Sequence, residues 1–541
     1  MRKIGIDFGT CNIKGAEIKK NGDIVALSVG KSTQNSTVIP NVILYEPDSS
    51  GEQQYKTLFG EVAKGKPGAQ QDKIWNIKQY LQEQAWTRTL SFGKKVRVSD
   101  VVYDIMKHLY DNIHMANQAE ELSAVITVPV NFSKRQRMVV QSAAAKAGFQ
   151  IRSVISEPFA AFFSLMKDEM EEDHNVLIFD FGGGTLDLCL ISVHTREDSP
   201  QVVAQSAVGI SYGGNQINED IVKHILAARQ PELINSIMQE IPDADTKDAD
   251  TKDTDQKEYR KKQYHQQIDR YFLMTEIDDL KAELFSGGES TEEEVELQII
   301  FKEAVEGDFG TVAAADLYQM FDSLDWKRRI QKLLNRLFID SDDLTAGEVT
   351  DVFLVGGSSS IPYFRNVLED YFQKYKGEDT DSLFALNDDL DAEERVYASV
   401  SYGAAVYQEL LDAGEEEIRI KSRIPFFLYT KGEAGIKCTP LTMHDAYQDY
   451  YSRIDPIGES IKKEKKISVY QTIFGEEEKE AYLGDIELSE EMVRQACFYR
   501  LMVDQEGTVT AELGSFDMTG EYENEEDRFC VDWRSKLMIG V

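Results

Sequence analysis

The chain has 541 residues, 42% of them apolar and 10% aromatic, which is enough to bury several cores and excludes both a disordered chain and a single small domain. A formal charge of −36 makes nucleic acids and anionic membranes poor partners, since binding to phosphate rests on Lys and Arg displacing counterions, and it leaves basic peptides as the better electrostatic match. The five cysteines, Cys11, Cys189, Cys438, Cys497 and Cys530, include no C-x-x-C pair and suit a reducing cytosol, and no apolar run is long enough for a signal-peptide core or a bilayer span.

Taken in chain order, residues 4–18, IGIDFGTCNIKGAEI, read as an apolar strand, an Asp-Phe-Gly turn and a second strand. The Asn-x-Ser/Thr triplets at Asn35 and Asn131 read as chance in a cytosolic chain. Gly60 to Lys66 spell G-x-x-x-x-G-K, but Pro67 follows and lacks the hydroxyl that a P-loop gives to magnesium. Residues 176–193, VLIFDFGGGTLDLCLISV, then repeat the strand, Asp-Phe-Gly turn, strand pattern, so two related lobes are expected. Residues 236–270 are more polar than their surroundings and read as an insertion, a loop followed by a helix, whose Asp-rich run at 243–255 lacks the Gly and Glu of an EF-hand. Asp-Phe-Gly occurs again at Asp308, yet the chain has no H-R-D-x-x-x-x-N loop, which excludes a protein kinase. At 351–362, DVFLVGGSSSIP, a strand runs into Gly356-Gly357 and a helical stretch. Beyond 415 the pattern changes to short alternating strands with a turn at Asp504 to Gly507, the pattern of a small β-sandwich.

The glycines carry the first chemical argument. A turn can press its backbone N–H groups onto phosphate oxygens only where no Cβ intervenes, which points to Gly9 in the first turn and to Gly182, Gly183 and Gly184 in the second. Asp7 and Asp180, beside those turns, suit a hydrated Mg2+ that bridges phosphates. Gly356 and Gly357 would add the partial positive charge of a helix N-terminus. Two opposed hairpins are thus expected to clamp one polyphosphate.

The segments GIDFGTCN, IWNIKQYL, ITVPVNFSKRQR, ISEPFAAFF, LIFDFGGGTLDL, DVFLVGGSSSIP and SYGAAV occur in the order and approximate spacing of the seventy-kilodalton heat-shock chaperone family, and the chain resembles that family over about 1–411. The resemblance implies an α/β actin-like ATPase fold of two duplicated lobes, lobe I at about 1–173 and 360–411 and lobe II at about 174–359, followed by a linker at 412–420, a β-sandwich substrate domain at 421–515 and a tail at 516–541. It implies ATP or ADP with Mg2+ as cofactors, with K+ as an additional candidate. Catalytic roles fall to Thr10, Lys78, Glu157, Asp180 and Asp187, with Lys78 at the γ-phosphate, Glu157 in the water network, and Asp7, Asp180 and Asp187 holding the metal through water. Nucleotide contacts are implied for Asp7, Gly9, Thr10, Cys11, Asn12, Gly182, Gly183, Gly184, Thr185, Gly213, Gly214, Asp278, Lys281, Phe285, Gly356, Gly357, Ser358 and Ser360. Phe285 stands where the family has a hydroxyl and Ser360 where it has a stacking arginine, a loss of roughly 1 kcal/mol or about fivefold in affinity. Phe285 is open to two readings, a purine stack or a core aromatic.

Pro129 and Arg137 match the family's interdomain coupling residues, whereas the linker reads DAGEEEIRI, more acidic than the family's hydrophobic one, which predicts loose coupling. Residues 418–515 bear a fainter resemblance to the family's peptide-binding β domain, and the short acidic stretch after it leaves a helical lid unexpected. Two functions are expected in turn: an ATP-hydrolysing chaperone that binds unfolded or extended peptides, with co-chaperones as further partners, or a non-catalytic relative that holds ATP as a structural ligand and docks a partner chaperone. A sugar or acetate kinase on the same fold fits less well with the VPVNF and SEPFAA combination.

Overall fold

A computed structural model of the chain describes residues 1–19, 21–29, 37–48, 55–66, 70–82, 86–115, 121–130, 132, 134–165, 173–195, 201–239, 253–285, 293–301, 306–339, 341, 344–377, 380–385, 399–413, 419–422, 427–430, 442–443, 450–451, 454–472, 480–503, 509–516 and 529–536. Asn35, Pro67, Asn131, the first part of the Asp-rich run, linker residues 414–418 and the turn at 504–507 lie outside them.

The first sheet is built on β1 (Arg2–Phe8), β2 (Asn12–Ile18), β3 (Ile24–Ala26), β4 (Val38–Pro40), β5 (Leu122–Val128) and β6 (Gln150–Ser156), in the order β6-β5-β1-β2-β3 with β4 also paired to β2. β5 is parallel to both neighbours and buried at every position, as a strand covered on both faces must be. The helices α1 (Lys134–Ala147) and α2 (Glu157–Leu165) each lead from or into this sheet. Pro158 is accommodated in the first turn of α2, where a missing N–H costs no helical bond.

The second sheet repeats the plan. β7 (His174–Phe181), β8 (Leu186–His194), β9 (Gln201–Ile210) and β10 (Asp351–Val355) run in the order β10-β7-β8-β9, so that β7 pairs antiparallel with β8 and parallel with β10, as β1 does with β2 and β5. α3 (Gly214–Ile221) follows β9, and the 32-residue α4 (Asp253–Leu284) follows the polar segment. Leu273, Ile277, Leu280 and Leu284 recur at helical spacing on α4 and are all buried in the second lobe's core, which fixes the rotation of the helix. α5 (Pro362–Lys376) opens on a proline and is capped by Gly377. α6 (Ser399–Ala413) returns to the first sheet and packs on α2, with Gly403 at the crossing.

After α6, β11 (Arg419–Ser422) adds to the free edge of the second sheet, parallel to Gln201–Ala204 of β9. The remaining strands form two sheets: β12 (Phe427–Thr430), β13 (Lys466–Thr472) and β14 (Glu480–Glu487) make one, while β15 (Phe498–Val503), β16 (Val509–Phe516) and β17 (Phe529–Lys536) belong to the other. Ile467, Val469 and Ile486 of the first share a core with Tyr499, Leu501, Ala511 and Leu513 of the second. β17 lies beyond the boundary expected at 515: its alternating sequence FCVDWRSK pairs with β16 despite the acidic stretch before it. Among the described residues no helix is long and apolar enough to cross a membrane.

Glu512 is fully buried between Arg500 and Arg534, its cross-strand partners on β15 and β17, at 2.9 and 2.7 Å. The pairing with two guanidinium groups compensates the burial of the carboxylate. Glu512→Ala is expected to cost about 3 kcal/mol by removing the buried carboxylate that ties β15 and β17 to β16, and to raise hydrogen exchange in β15 to β17 while that in the two lobes stays unchanged.

Candidate functional site

The two hairpin turns meet. Gly9, Thr10 and Cys11 join β1 to β2, and Asn41 holds this turn from below, its Nδ2 donating to Gly9 O at 2.9 Å and its backbone N to Cys11 O at 2.7 Å. Gly182 to Thr185 join β7 to β8, and Gly182 N donates to Thr185 O at 3.0 Å. Gly214 N and Asn215 N, at the start of α3, donate to Gly182 O and Gly183 O at 3.0 and 2.9 Å, and Ser358 Oγ of the third turn donates to Gly182 O at 3.1 Å. A Cβ on Gly184 would lie 2.6 Å from Thr10 Oγ1, and one on Gly183 would lie 2.5 Å from Cys11 Sγ. Only glycine permits that approach between the lobes. Gly213 sits against the backbone of Gly183 and Gly184, Gly214 beside Ser358 and Lys281, and Gly356 against Phe181 and Asp180, whereas Gly357 has no neighbour within 4 Å of its Cβ position.

Beneath the turns the charged groups converge. Lys78, in a short 3-10 turn at Ile77–Gln82, is buried and donates to Glu157 at the head of α2 at 2.5 Å, with the rings of Phe8 and Phe132 within 6 Å of its ammonium. Burial raises the pKa of Glu157, an effect that Lys78 opposes and Asp7 reinforces. Asp180 is raised well above the carboxylate range by burial and by Glu157, Asp187 and Asp7. Asp187 is pushed up to about 7 by burial and Glu157; its Oδ1 accepts from Val130 N at 3.2 Å across the lobes, and its Oδ2 is buried with no hydrogen-bond partner. Thr185 bonds to the same carboxylate.

Pro129 is buried in the loop after β5, and the half-buried Arg137 of α1 donates its Nε to Phe132 O at 3.3 Å; burial lowers its pKa to about 10 against the opposing charges of Asp187 and Glu157. Among the described residues no three His, Cys, Asp or Glu side chains stand close enough to hold a bare metal ion. The orphaned Asp187 oxygen and the surrounding Asp7, Glu157 and Asp180 suit a hydrated cation held through water.

On the far side of the turns, Asp278 and Lys281 of α4 form an ion pair at 3.0 Å, Asn218 donates to Asp278 at 2.9 Å, and Lys281 reaches Gly214. Phe285 packs on the second lobe's core with its ring parallel to Tyr318, 6.4 Å between centroids. Asn12 and Ser360 are exposed.

Three residues absent from the sequence-derived set belong to the cluster. Asn41 braces the first turn, Asn215 accepts from Cys11 Sγ at 3.4 Å and has its Nδ2 buried without a partner, and Lys14 pairs with Asp7 at 3.4 Å. Lys14 was within reach, since it opposes Asp7 across the first turn as Asp187 opposes Asp180 across the second. Asn41 and Asn215 carried no local signal.

Duplicated hairpins whose glycine turns face one another, with buried carboxylates and a lysine nearby, define a two-lobed α/β protein. Residues 50–240 match the Hsp70 protein family. The chaperone proteins DnaK of two strains of Ureaplasma parvum serovar 3 are each 26% identical over 250 residues, 45% of this chain and 39% of theirs, so the match spans about two fifths of each relative. That similarity agrees with the chain's motifs, and the repeated strand order of the two sheets is compatible with the actin-like fold that the resemblance implies.

Proposed function

We propose that the chain binds ATP or ADP with Mg2+ between the two glycine turns, hydrolyses ATP there, and uses the nucleotide to govern peptide binding by its C-terminal β strands. The observation that carries this reading is the contact of Thr10 and Cys11 with the backbone of Gly183 and Gly184, directly above the buried Lys78–Glu157 pair. Backbone N–H groups of the two turns take the phosphate oxygens. Lys78 neutralises charge that develops on the transferring phosphoryl group, and Glu157, held 2.5 Å from it, orients the attacking water. The divalent ion, when bound, supplies further neutralisation through water to Asp7, Asp180 and Asp187. β11, joined to β9, gives the C-terminal strands a backbone connection to the second lobe and supports coupling between them.

One observation favours a second reading, ATP as a structural ligand in a scaffold for a partner chaperone: Phe285 stacks on Tyr318, so a purine there gains no stack from it unless the ring turns. Calorimetry with ADP and ATP, followed by steady-state ATPase assays with and without an unfolded peptide, separates the two. Heat and turnover stimulated by peptide are expected; heat without turnover would select the scaffold, and no heat with any purine triphosphate would end both.

A further inference from the structure

The two duplicated hairpins differ at one register position in the cleft. Asp180 on β7 is paired with Asp187 on β8, a like-charged pair, while Asp7 on β1 is paired with Lys14 on β2, an oppositely charged one. The Lys14 ammonium stands 3.4 Å from Asp7 Oδ2, its side chain 17% exposed, so it is largely withdrawn from bulk water into the cleft. Its field extends past Asp7, favouring the charged forms of both Glu157 and Asp180. Lys78 is committed to Glu157 at 2.5 Å and Arg137 donates to Phe132 O, so among the described residues Lys14 is the cation paired with Asp7.

Building on the nucleotide reading above, we propose that Lys14 is a tethered counter-cation of the phosphate site, which supplies at Asp7 charge that a divalent ion would otherwise bring, so that nucleotide binding here depends little on Mg2+. Beside Lys78, which pairs with Glu157, Lys14 brings a second ammonium into a site that gathers Asp7, Glu157, Asp180 and Asp187. A lysine carried on the strand pays no entropy of capture and cannot be chelated away. It also gives a phosphate oxygen entering above Asp7 a donor that is present before any metal arrives.

Calorimetric titration of the full chain with ADP, once in excess MgCl2 and once in EDTA, tests the proposal. The wild-type dissociation constant is expected to change by less than about threefold between the two conditions, whereas Lys14→Met should weaken binding in EDTA by about tenfold or more and recover much of it in MgCl2. Lys14→Arg, which keeps the charge, should behave as wild type. A wild-type chain that binds ADP in MgCl2 and loses about tenfold or more in EDTA overturns the proposal by itself, whether or not the variants fold, and leaves the nucleotide site standing. Equal EDTA sensitivity of wild type and a folded Lys14→Met overturns it too. No heat with ADP in either condition overturns the nucleotide reading and the proposal together.

Discussion

Lys78→Ala should leave nucleotide bound while ATP turnover falls about a hundredfold, because the ammonium acts on charge that appears only as the phosphoryl group moves. The site is arranged for that difference. Lys78 is nearly excluded from water, framed by the rings of Phe8 and Phe132, and its partner Glu157 is buried as well, so its charge acts in a medium of low dielectric. The turns that would hold the phosphates make their hydrogen bonds without it, through Asn41, Gly214, Asn215 and Ser358. Removing Lys78 also strips Glu157 of its ion partner. Burial raises the pKa of that carboxyl against the pull of Lys78, so losing the ammonium shifts it further toward its neutral form and away from an uncompensated buried charge. Single-turnover hydrolysis measured beside ADP calorimetry checks this. Turnover equal to wild type would remove Lys78 from the mechanism, and lost ADP binding would make it a binding residue instead.

The largest effect on stability is expected from Gly403→Ala. A Cβ at Gly403 would lie 1.6 Å from Ala160 O and 2.6 Å from Ala160 C, both backbone atoms of α2, so no side chain can rotate to make room and the helices α6 and α2 must part. Overpacking of this kind costs about 3 kcal/mol, and more where rigid backbone is involved. The consequence extends to chemistry, because α2 begins at Glu157 and a shift of the helix draws that carboxylate away from Lys78. Thermal melting and ATP turnover of the variant should therefore fall together, whereas Glu512→Ala should loosen the C-terminal strands alone. An unchanged melting temperature would show that α6 and α2 can separate at no cost.

The duplication was legible because its signals are local. An apolar strand ending in Asp-Phe-Gly is recognisable within ten residues, and the strands on either side need only their own alternation and β-branched content to form. The same locality explains what escaped. Asn41 reaches Gly9 from 32 positions away, and Asn215 meets Cys11 across 204, so neither is visible in a window around the turn. Phe285 follows a helix whose buried stripe was readable, yet whether its ring faces the cleft or Tyr318 depends on the packing of a neighbouring segment. β17 was hidden by the acidic residues preceding it, since strand pairing depends on the partner β16 as much as on its own sequence.

Chain chemistry alone determined where glycine had to stand, which strands repeat, and that Asp7 and Asp180 would flank the turns, while Lys78 and Glu157 followed only from the family resemblance. Tertiary structure alone decided which charges neutralise one another: Lys14 with Asp7, and Lys78 with Glu157. The reason is physical. Backbone preference acts over a few residues, whereas an ion pair is set by distance and local dielectric, and both exist only after segments remote in the chain have packed together.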